Sequence, residues 1–107
     1  MSGPPVPLGR LRHRLVLQSS SVGSGGDTVW TTVATLWAAV VPTGAEERES
    51  AGRGAGVVTH RITLRFRAGL SSAHRLVQGS RVFRILAVQD HDERHRYHLV
   101  LAEEEPA

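Results

Sequence analysis

The chain has 107 residues, with 13 arginines, no lysine, no cysteine and a formal net charge of +3. This length allows one domain with a small core, and the absence of cysteine excludes a disulfide framework, a thiolate metal site and a cysteine nucleophile. No apolar run approaches the roughly 18 residues of a membrane-spanning helix, and the N-terminus lacks the apolar segment of a signal peptide, so we expect a soluble protein that is not exported.

The first part of the chain predicts an extended arm followed by two or three strands. Residues 1–9 carry three prolines and two glycines, which favours an extended N-terminal arm. Residues 10–19 alternate between apolar and polar side chains, as a strand does. The Gly/Ser-rich residues 20–27 then predict a flexible loop. Residues 28–42 are dense in Val, Thr and Ala and contain both tryptophans, which predicts one or two further strands.

Residues 43–56 are the least core-like internal stretch, with four glycines and no large apolar residue. A loop of about 14 residues is longer than a compact domain requires, and such loops are usually functional or disordered. We therefore predict that this segment becomes ordered only against a partner.

The most regular strand pattern covers residues 57–67. Side chains alternate between the two faces of a strand. One face carries His60, Ile62, Leu64 and Phe66. The opposite face carries Arg61, Arg65 and Arg67 between threonines. This alternation predicts a well-paired strand with one face in the core and one arginine-bearing face.

The C-terminal part of the chain predicts a hairpin and a last strand. Residues 74–78 and 81–89 have strand patterns and are joined at Gly79-Ser80. Glycine followed by serine in a two-residue loop is typical of a type II′ turn, whose first position needs a positive φ. A charged turn leads to a strand over residues 97–102, and residues 103–107 form an acidic tail.

Together these patterns predict an all-β fold. The expected architecture is a small single-domain β-barrel or sandwich of about six strands over residues 10–102, with a long internal loop. The residues that we expect to be largely buried are Trp37, Leu64, Phe66, Phe83 and Ile85.

The residues that could carry chemistry predict no enzyme. His91 and His95 lie four apart, as in a helical zinc-protease motif, but the glutamate between them is one place too late and the segment is typical of a hairpin tip. With His98 this cluster could bind a metal, although a solvated turn is the favoured interpretation. His60, beside apolar neighbours, is interpreted as a core histidine. We find no nucleophile elbow and no phosphate-binding loop, so no catalytic, metal or cofactor residue is predicted.

Nucleic-acid binding is the main alternative that the residues themselves raise. The sequence pI of about 11.0 overstates the positive charge, because every basic residue is arginine and few groups titrate above neutral pH. Arginines on one strand face suit phosphate contacts, but strand arginines more often pair with carboxylates or cover apolar surface. Only five aromatic residues are present, most of them in core-like positions. Any contact would therefore be with duplex backbone rather than with stacked single strands.

Five segments of the chain come in an order and spacing that resembles a known family. They are Leu11 to Gln18 (LRHRLVLQ), Trp30 followed by Leu36 to Ala38, Thr59 to Arg67 (THRITLRFR), Gly79 to Ile85 (GSRVFRI) and Asp92 to Arg94. In these segments the chain resembles the head-tail joining proteins, which are the head-closure or stopper proteins of tailed phages, prophages and gene transfer agents. The resemblance covers residues 10–102.

This resemblance implies a structural role in the neck of a virion. The implied assembly is a ring, a hexamer, with the adaptor or portal ring above it and the tail terminator or tail tube below it. The ring would retain packaged double-stranded DNA and would assemble in the host cytoplasm without contact with a membrane. The family's central loop matches residues 43–56, and its candidate channel or partner residues are Glu46, Glu47, Arg48, Glu49 and Arg53. The candidate subunit or ring contacts are Arg61, Arg65 and Arg67.

Two other functions stay open on the sequence. A small β-barrel module that binds nucleic acid predicts steeply salt-dependent duplex binding by the isolated monomer. A tail-completion or neck protein of related fold predicts assembly with the tail tube rather than with the portal complex.

Overall fold

Six strands make up the computed structural model, which describes residues 11–43, 56–90 and 94–106. The strands are β1 (His13–Val22), β2 (Thr28–Pro42), β3 (His60–Arg65), β4 (His74–Gln78), β5 (Arg81–Asp90) and β6 (Tyr97–Glu104). They form one closed antiparallel barrel in the order β1-β2-β3-β6-β5-β4. The predicted all-β class is confirmed, and the architecture is a barrel rather than a sandwich.

Closure of the barrel depends on the short strand β4, which pairs with β5 on one side and with β1 on the other. The first three strands form a meander, and β6 lies between β3 and β5. All of these pairings are antiparallel, so residues that face each other across a pair point to the same side of the barrel wall. The inside and the outside of each strand can therefore be read from the register.

The hairpin of β1 and β2 is longer than the sequence predicted. β1 continues to Val22, which pairs with Thr28, so the prediction of a loop over residues 20–27 is wrong for its first part. The turn itself is tight, because the Gly23 amide donates to the carbonyl oxygen of Asp27 at 2.7 Å. Serine and glycine favour loops when considered alone. In this hairpin, however, residues 20–22 pair with β2 and their backbone groups take part in its ladder of hydrogen bonds, so they are strand residues.

The hairpin of β4 and β5 matches its prediction closely. β4 covers the predicted residues 74–78, and β5 extends one residue beyond the predicted 81–89. Gly79 has a φ of 59°, while Ser80 is not among the residues with positive φ. This combination is that of a type II′ turn.

The core is built from the inward-facing side chains of all six strands. Its members share near-complete burial and are Leu15, Leu17, Ala38, Ile62, Leu64, Leu76, Phe83, Ile85, Val100 and Ala102. The predicted burial of Leu64, Phe83 and Ile85 is confirmed. The predicted inward face of β3 is also confirmed for its strand residues, because His60, Ile62 and Leu64 are all buried.

Two aromatic residues predicted to be buried are not, and the register explains both. Trp37 is 54% exposed, because its neighbour Ala38 faces the core and alternation turns Trp37 outward. Phe66 is 37% exposed and follows the last residue of β3, Arg65. It packs against histidine rings at the end of the barrel instead of filling the core.

The last strand reaches further toward the C-terminus than expected. β6 ends at Glu104, so Glu103 and Glu104 are strand residues of the barrel. The predicted arm over residues 1–9 lies outside the described residues, as do residues 44–55 of the predicted long loop.

Candidate interaction surface

Both tryptophans project from the outer face of the hairpin of β1 and β2, and an arginine covers each one. Trp37 lies opposite Arg14 in the register, and the guanidinium carbon of Arg14 is 5.4 Å from the centroid of the Trp37 ring. The Arg75 guanidinium carbon is 4.3 Å from the Trp30 ring, and the Arg75 Nε donates to the Gln18 Oε1 at 2.7 Å. Each cation–π contact contributes about 0.5–1 kcal/mol at an exposed site. Tryptophan and arginine are also the residues that most often dominate protein interfaces.

The candidate contact residues of β3 lie on the same outer surface. Arg61 and Arg65 are exposed, and Arg61 lies opposite Val41 of β2 and Leu101 of β6. Within residues 11–43, 56–90 and 94–106, neither Arg61 nor Arg65 makes an ion pair. Their guanidinium groups are therefore available to a partner, since Glu103 pairs with Arg84 and Glu104 with Arg81 instead.

Arg67, the third of these residues, has a different environment. It is half-buried after the end of β3, and its carbonyl oxygen accepts a hydrogen bond from the His98 Nε2 at 3.0 Å. The structure thus brings Arg61 and Arg65 to one exposed strand face, whereas Arg67 lies beyond the end of β3 and is less exposed. The other predicted contact residues, Glu46, Glu47, Arg48, Glu49 and Arg53, lie outside the described residues.

A network of polar side chains closes one end of the barrel around Arg81. The Arg81 Nε and Nη2 donate to the two carboxylate oxygens of Glu104 at 2.9 and 3.2 Å, and its Nη1 donates to the Gln78 Oε1 at 3.3 Å. His60, buried beside Phe83, lies 3.4 Å from the Arg81 Nη2 through its Nε2. His60 is therefore a buried, hydrogen-bonded histidine of the core, as its neighbours in the sequence indicated.

The charges of this network shift the pKa values of its two ionised members. Hydrogen bonding to Arg81 lowers the pKa of the Glu104 carboxyl, and burial partly opposes this effect. The charges of Arg81 and His60 make smaller contributions that lower this pKa further. Hydrogen bonding to Glu104 raises the pKa of Arg81. Both shifts favour the charged forms, so the pair stays ionised at neutral pH and serves to tie β5 to β6.

At the opposite end of the barrel, Phe66 packs against two histidine rings. Its ring centroid is 4.9 Å from that of His95, in a tilted contact, and 4.6 Å from that of His98, in a stacked one. The Asp90 Oδ2 accepts a hydrogen bond from the His95 amide at 3.0 Å, which fits the positive φ of 57° at His95. This arrangement stabilises the turn between β5 and β6 and gives Phe66 a packing role outside the core.

The described residues offer little support for metal or catalytic chemistry. Among them, no three histidine or acidic side chains are placed to hold a metal ion. His91, which belongs to the sequence cluster, lies outside the described residues. An open hollow of about 270 Å³ lies where β1 begins and β2 ends, and its described lining has neither a carboxylate nor a nucleophile: Arg12, His13, Ala39, Val40 and Val41. Across the described ranges, no helix has the length and apolar character needed to cross a membrane.

A comparison with protein families shows which family this chain belongs to. The family model of the phage head completion protein matches residues 6–105, which is nearly the whole chain. The chain belongs to the phage head completion protein family. This agrees with the resemblance to head-tail joining proteins found in the sequence, and the family is one of structural proteins of the virion.

Solved structures support the same relationship. A chain from the virion of a native gene transfer agent particle is similar at 26% identity with a TM-score of 0.65, covering 90% of this chain and 96% of that one. The solution structure of a protein from Shigella flexneri 2a is similar at 25% identity with a TM-score of 0.64, covering 92% and 96%. No curated protein gives a significant match.

The sequence did not indicate that both tryptophans point outward. One feature of the sequence did point to it. Residues 28–42 contain no charged residue, and a strand of this length is longer than the strands of a small barrel usually are. Part of it is therefore expected to lie outside the core. The alternation of Leu36, Trp37 and Ala38 cannot by itself say which side is the core. Pairing of Ala38 with both His13 and Leu64 decides it.

Proposed function

We propose that this protein closes the DNA-filled head of a phage or gene transfer agent particle. It acts as a ring of identical copies, a hexamer, between the portal or adaptor ring and the tail terminator or tail tube. The observation that carries this proposal is the family match over residues 6–105. The similarity to a chain of a gene transfer agent virion, at a TM-score of 0.65, supports it. The ring belongs to the neck of the particle and assembles in the host cytoplasm.

The outer surface of the barrel supports a role based on protein contacts. Arg61 and Arg65 are exposed on β3, and Trp37 is exposed on the adjacent strand β2. Such a surface binds a protein partner through aromatic packing and charge-assisted hydrogen bonds. In a ring, copies of this chain and the rings above and below are the partners of that surface.

Retention of DNA requires a channel that the polymer can also leave. A channel lined with arginine would bind the phosphates more tightly with each contact, whereas a lining of mixed sign lets a polyanion slide. The segment over residues 43–56, which the sequence predicts as a loop, has this mixed character, with Glu46, Glu47 and Glu49 beside Arg48, and with Arg53 further along. We assign these residues to the channel or to the adjoining ring, and the exposed arginines of β3 to protein contacts.

Deletion of the gene from a strain that produces the particles tests this function. The expected result is full-size heads that lack tails and contain DNA that leaks or is sensitive to nuclease, as seen by electron microscopy and nuclease digestion. The wild-type gene supplied in trans should restore tailed particles. Normal tailed particles without the gene would overturn the proposal, and tails of abnormal length on closed heads would favour a tail-completion role.

A further inference from the structure

β2 has a partner on only one side along most of its length. It contains fifteen residues, of which β3 pairs only with Ala38 to Pro42, while β1 pairs with β2 from Thr28 to Ala38. Within the described part of the chain, the side of β2 that faces away from β1 is therefore open from Thr28 to Trp37. At about 3.3 Å per residue this open edge is about 33 Å long.

The composition of this open edge is unusual for a strand that faces water. Natural edge strands carry lysine, proline or inward-pointing charges that prevent pairing with other chains. Residues 28–37 (TVWTTVATLW) contain no charged residue, no proline and no glycine. Three of its large side chains are exposed, with Val29, Val33 and Trp37 between 43% and 54%. One bulge at Val33 interrupts the ladder with β1, so most of the edge remains a template for a further strand.

The direction of the backbone groups along this edge follows from the hydrogen bonds of β3. The Phe66 amide donates to Arg96 on the β6 side, and groups alternate along a strand. The amide and carbonyl groups of Thr63 therefore point toward β2, where its partner is Ala39. Ala39 directs its amide and carbonyl groups toward β3, and every second residue of β2 directs these groups to the same side. The amide and carbonyl groups of Trp37 and Thr35 therefore point toward the open edge.

The charged residues beside the two tryptophans of this edge are positive, and the one negative residue near it, Asp27, precedes Thr28 at the tip of the hairpin. Arg14 lies beside Trp37 and Arg75 beside Trp30. β3 ends at Arg65, which is exposed one position beyond the last β3 residue that pairs with β2, Leu64. A strand added along the edge would lie in line with β3, and its first residues would lie next to Arg65. Acidic side chains on that strand would lie beside Arg65 and would also be attracted across β2 by Arg14 on β1 and Arg75 on β4, whereas basic ones would be repelled.

We propose that an extended acidic segment of another protein of the particle binds here, adding a strand to β2 along Thr28 to Trp37. Backbone hydrogen bonds supply the affinity of such strand addition, and side-chain contacts supply its specificity. Arg14, Arg65 and Arg75 select acidic side chains, and the two tryptophans pack against the added strand. This inference rests on the proposed function, because it identifies how the ring contacts a neighbouring protein.

Peptide binding to the full-length protein tests the inference directly. The probe is a blocked, fluorescent peptide in which glutamate alternates with valine and threonine, and its control has lysine in place of glutamate. Thr35→Pro removes one edge donor without touching the ladder to β1, and we expect it to weaken binding of the glutamate peptide at least about tenfold. Thr35→Ala keeps the donor and should bind like the wild type. Circular dichroism establishes that both variants are folded.

A second pair of substitutions covers the case in which Thr35→Pro does not fold. Arg14→Gln with Arg65→Gln leaves the backbone edge intact and should abolish the preference for the glutamate peptide over the lysine peptide. Equal binding of both peptides by the wild type, or no binding of either, would overturn the inference. So would dimerisation through the edge in sedimentation experiments, or peptide binding that appears only after removal of residues 1–10, because these results assign the edge to a second copy or to the chain's own N-terminus.

The same variants separate this inference from the proposed function. In the gene-deleted strain, Thr35→Pro should give closed or open heads without tails, whereas Thr35→Ala should restore tailed particles. If both variants restore tails, strand addition is wrong while head completion stands. If the wild-type gene itself has no effect on heads or tails, the proposed function is wrong, whatever the peptides do.

Discussion

Arg81 and Glu104 hold the start of β5 against the end of β6 through two hydrogen bonds, of 2.9 and 3.2 Å, in which both carboxylate oxygens accept from one guanidinium group. The planar guanidinium matches the carboxylate in this geometry, and such pairs are stronger than hydrogen bonds between neutral groups. The Glu104 amide also donates to the Thr59 Oγ1 at 2.7 Å. These contacts explain why the last strand continues into the acidic C-terminal residues.

Glu104→Gln should make the stability of the protein less dependent on acid. The pKa of Glu104 is lowered in the folded state. The stabilisation that the ionised carboxylate gives to the folded state is therefore present above the unfolded pKa of about 4.3, and it is lost as the pH falls through the lower pKa of the folded state. We expect a loss on the order of 1 kcal/mol at neutral pH, because the pair is partly exposed to solvent. That difference from the wild type should shrink toward pH 3. Thermal melts between pH 7 and pH 3 measure it, with Glu105→Gln as the control, since Glu105 is exposed. A constant difference at all pH values would contradict the prediction.

Phe83→Ala should destabilise the protein by about 3–5 kcal/mol, because Phe83 is fully buried and its removal leaves a cavity. Urea unfolding followed by circular dichroism measures the change. Phe66→Ala is the matched control, since Phe66 is 37% exposed at the end of the barrel and its loss should cost clearly less. Equal losses for the two variants would mean that Phe66 belongs to the core after all.

Two of the glycines with positive φ, Gly79 and Gly56, should differ in their tolerance of alanine. Gly79→Ala places a side chain in open space at a φ of 59°, where the cost is that of the left-handed conformation, about 1 kcal/mol. Gly56→Ala should cost more, because its φ of 116° is rarely adopted by residues with a side chain. A Cβ there would also displace the ends of the Glu103 and Arg84 side chains, which pair with each other. Melting temperatures of the two variants compare them. A Gly56→Ala protein as stable as Gly79→Ala would show that the local backbone relaxes freely.

Arg65→Glu should impair the joining of heads to tails while the affinity of the free protein for duplex DNA stays nearly unchanged. Arg65 is exposed on β3, and we assign it to protein contacts, so reversal of its charge repels an acidic partner. Tailed particles are counted by electron microscopy after complementation, and duplex binding is measured at several salt concentrations. Ser72→Glu adds a charge in an exposed loop and should leave joining intact. Loss of DNA binding with normal joining would favour the nucleic-acid-binding alternative.

Several local features of this fold could be predicted from the sequence because they depend on neighbours in the chain. The alternation in residues 57–67 predicted the inward face of β3, and the Gly-Ser pair predicted the type II′ turn between β4 and β5. Backbone conformation at Gly79 depends on the absence of a Cβ, and alternation depends only on the geometry of a strand. The order of five such segments was also sufficient to indicate the family.

The candidate contact surface needed the tertiary structure. Residues 28–42 were predicted as strand, but both faces of that segment contain apolar side chains, so periodicity could not say that Trp37 points outward. The pairing of Ala38 with its partners on β1 and β3 turned Trp37 outward. Arg14 and Arg75 meet the tryptophans only across strand pairs, which the order of residues in the chain does not specify.

The sequence by itself determined the all-β class, the single domain, the positions of most strands and the family, because alternation, turn residues and composition act over a few residues. Only the tertiary structure decided that the strands close into a barrel, that Phe66 leaves the core, that Glu103 and Glu104 belong to β6, and that no other described strand pairs with β2 from Thr28 to Trp37 on the side away from β1. Each of these depends on register and stagger between strands far apart in the chain. A shift of one residue in register exchanges the two faces of a strand, and local sequence does not contain that information.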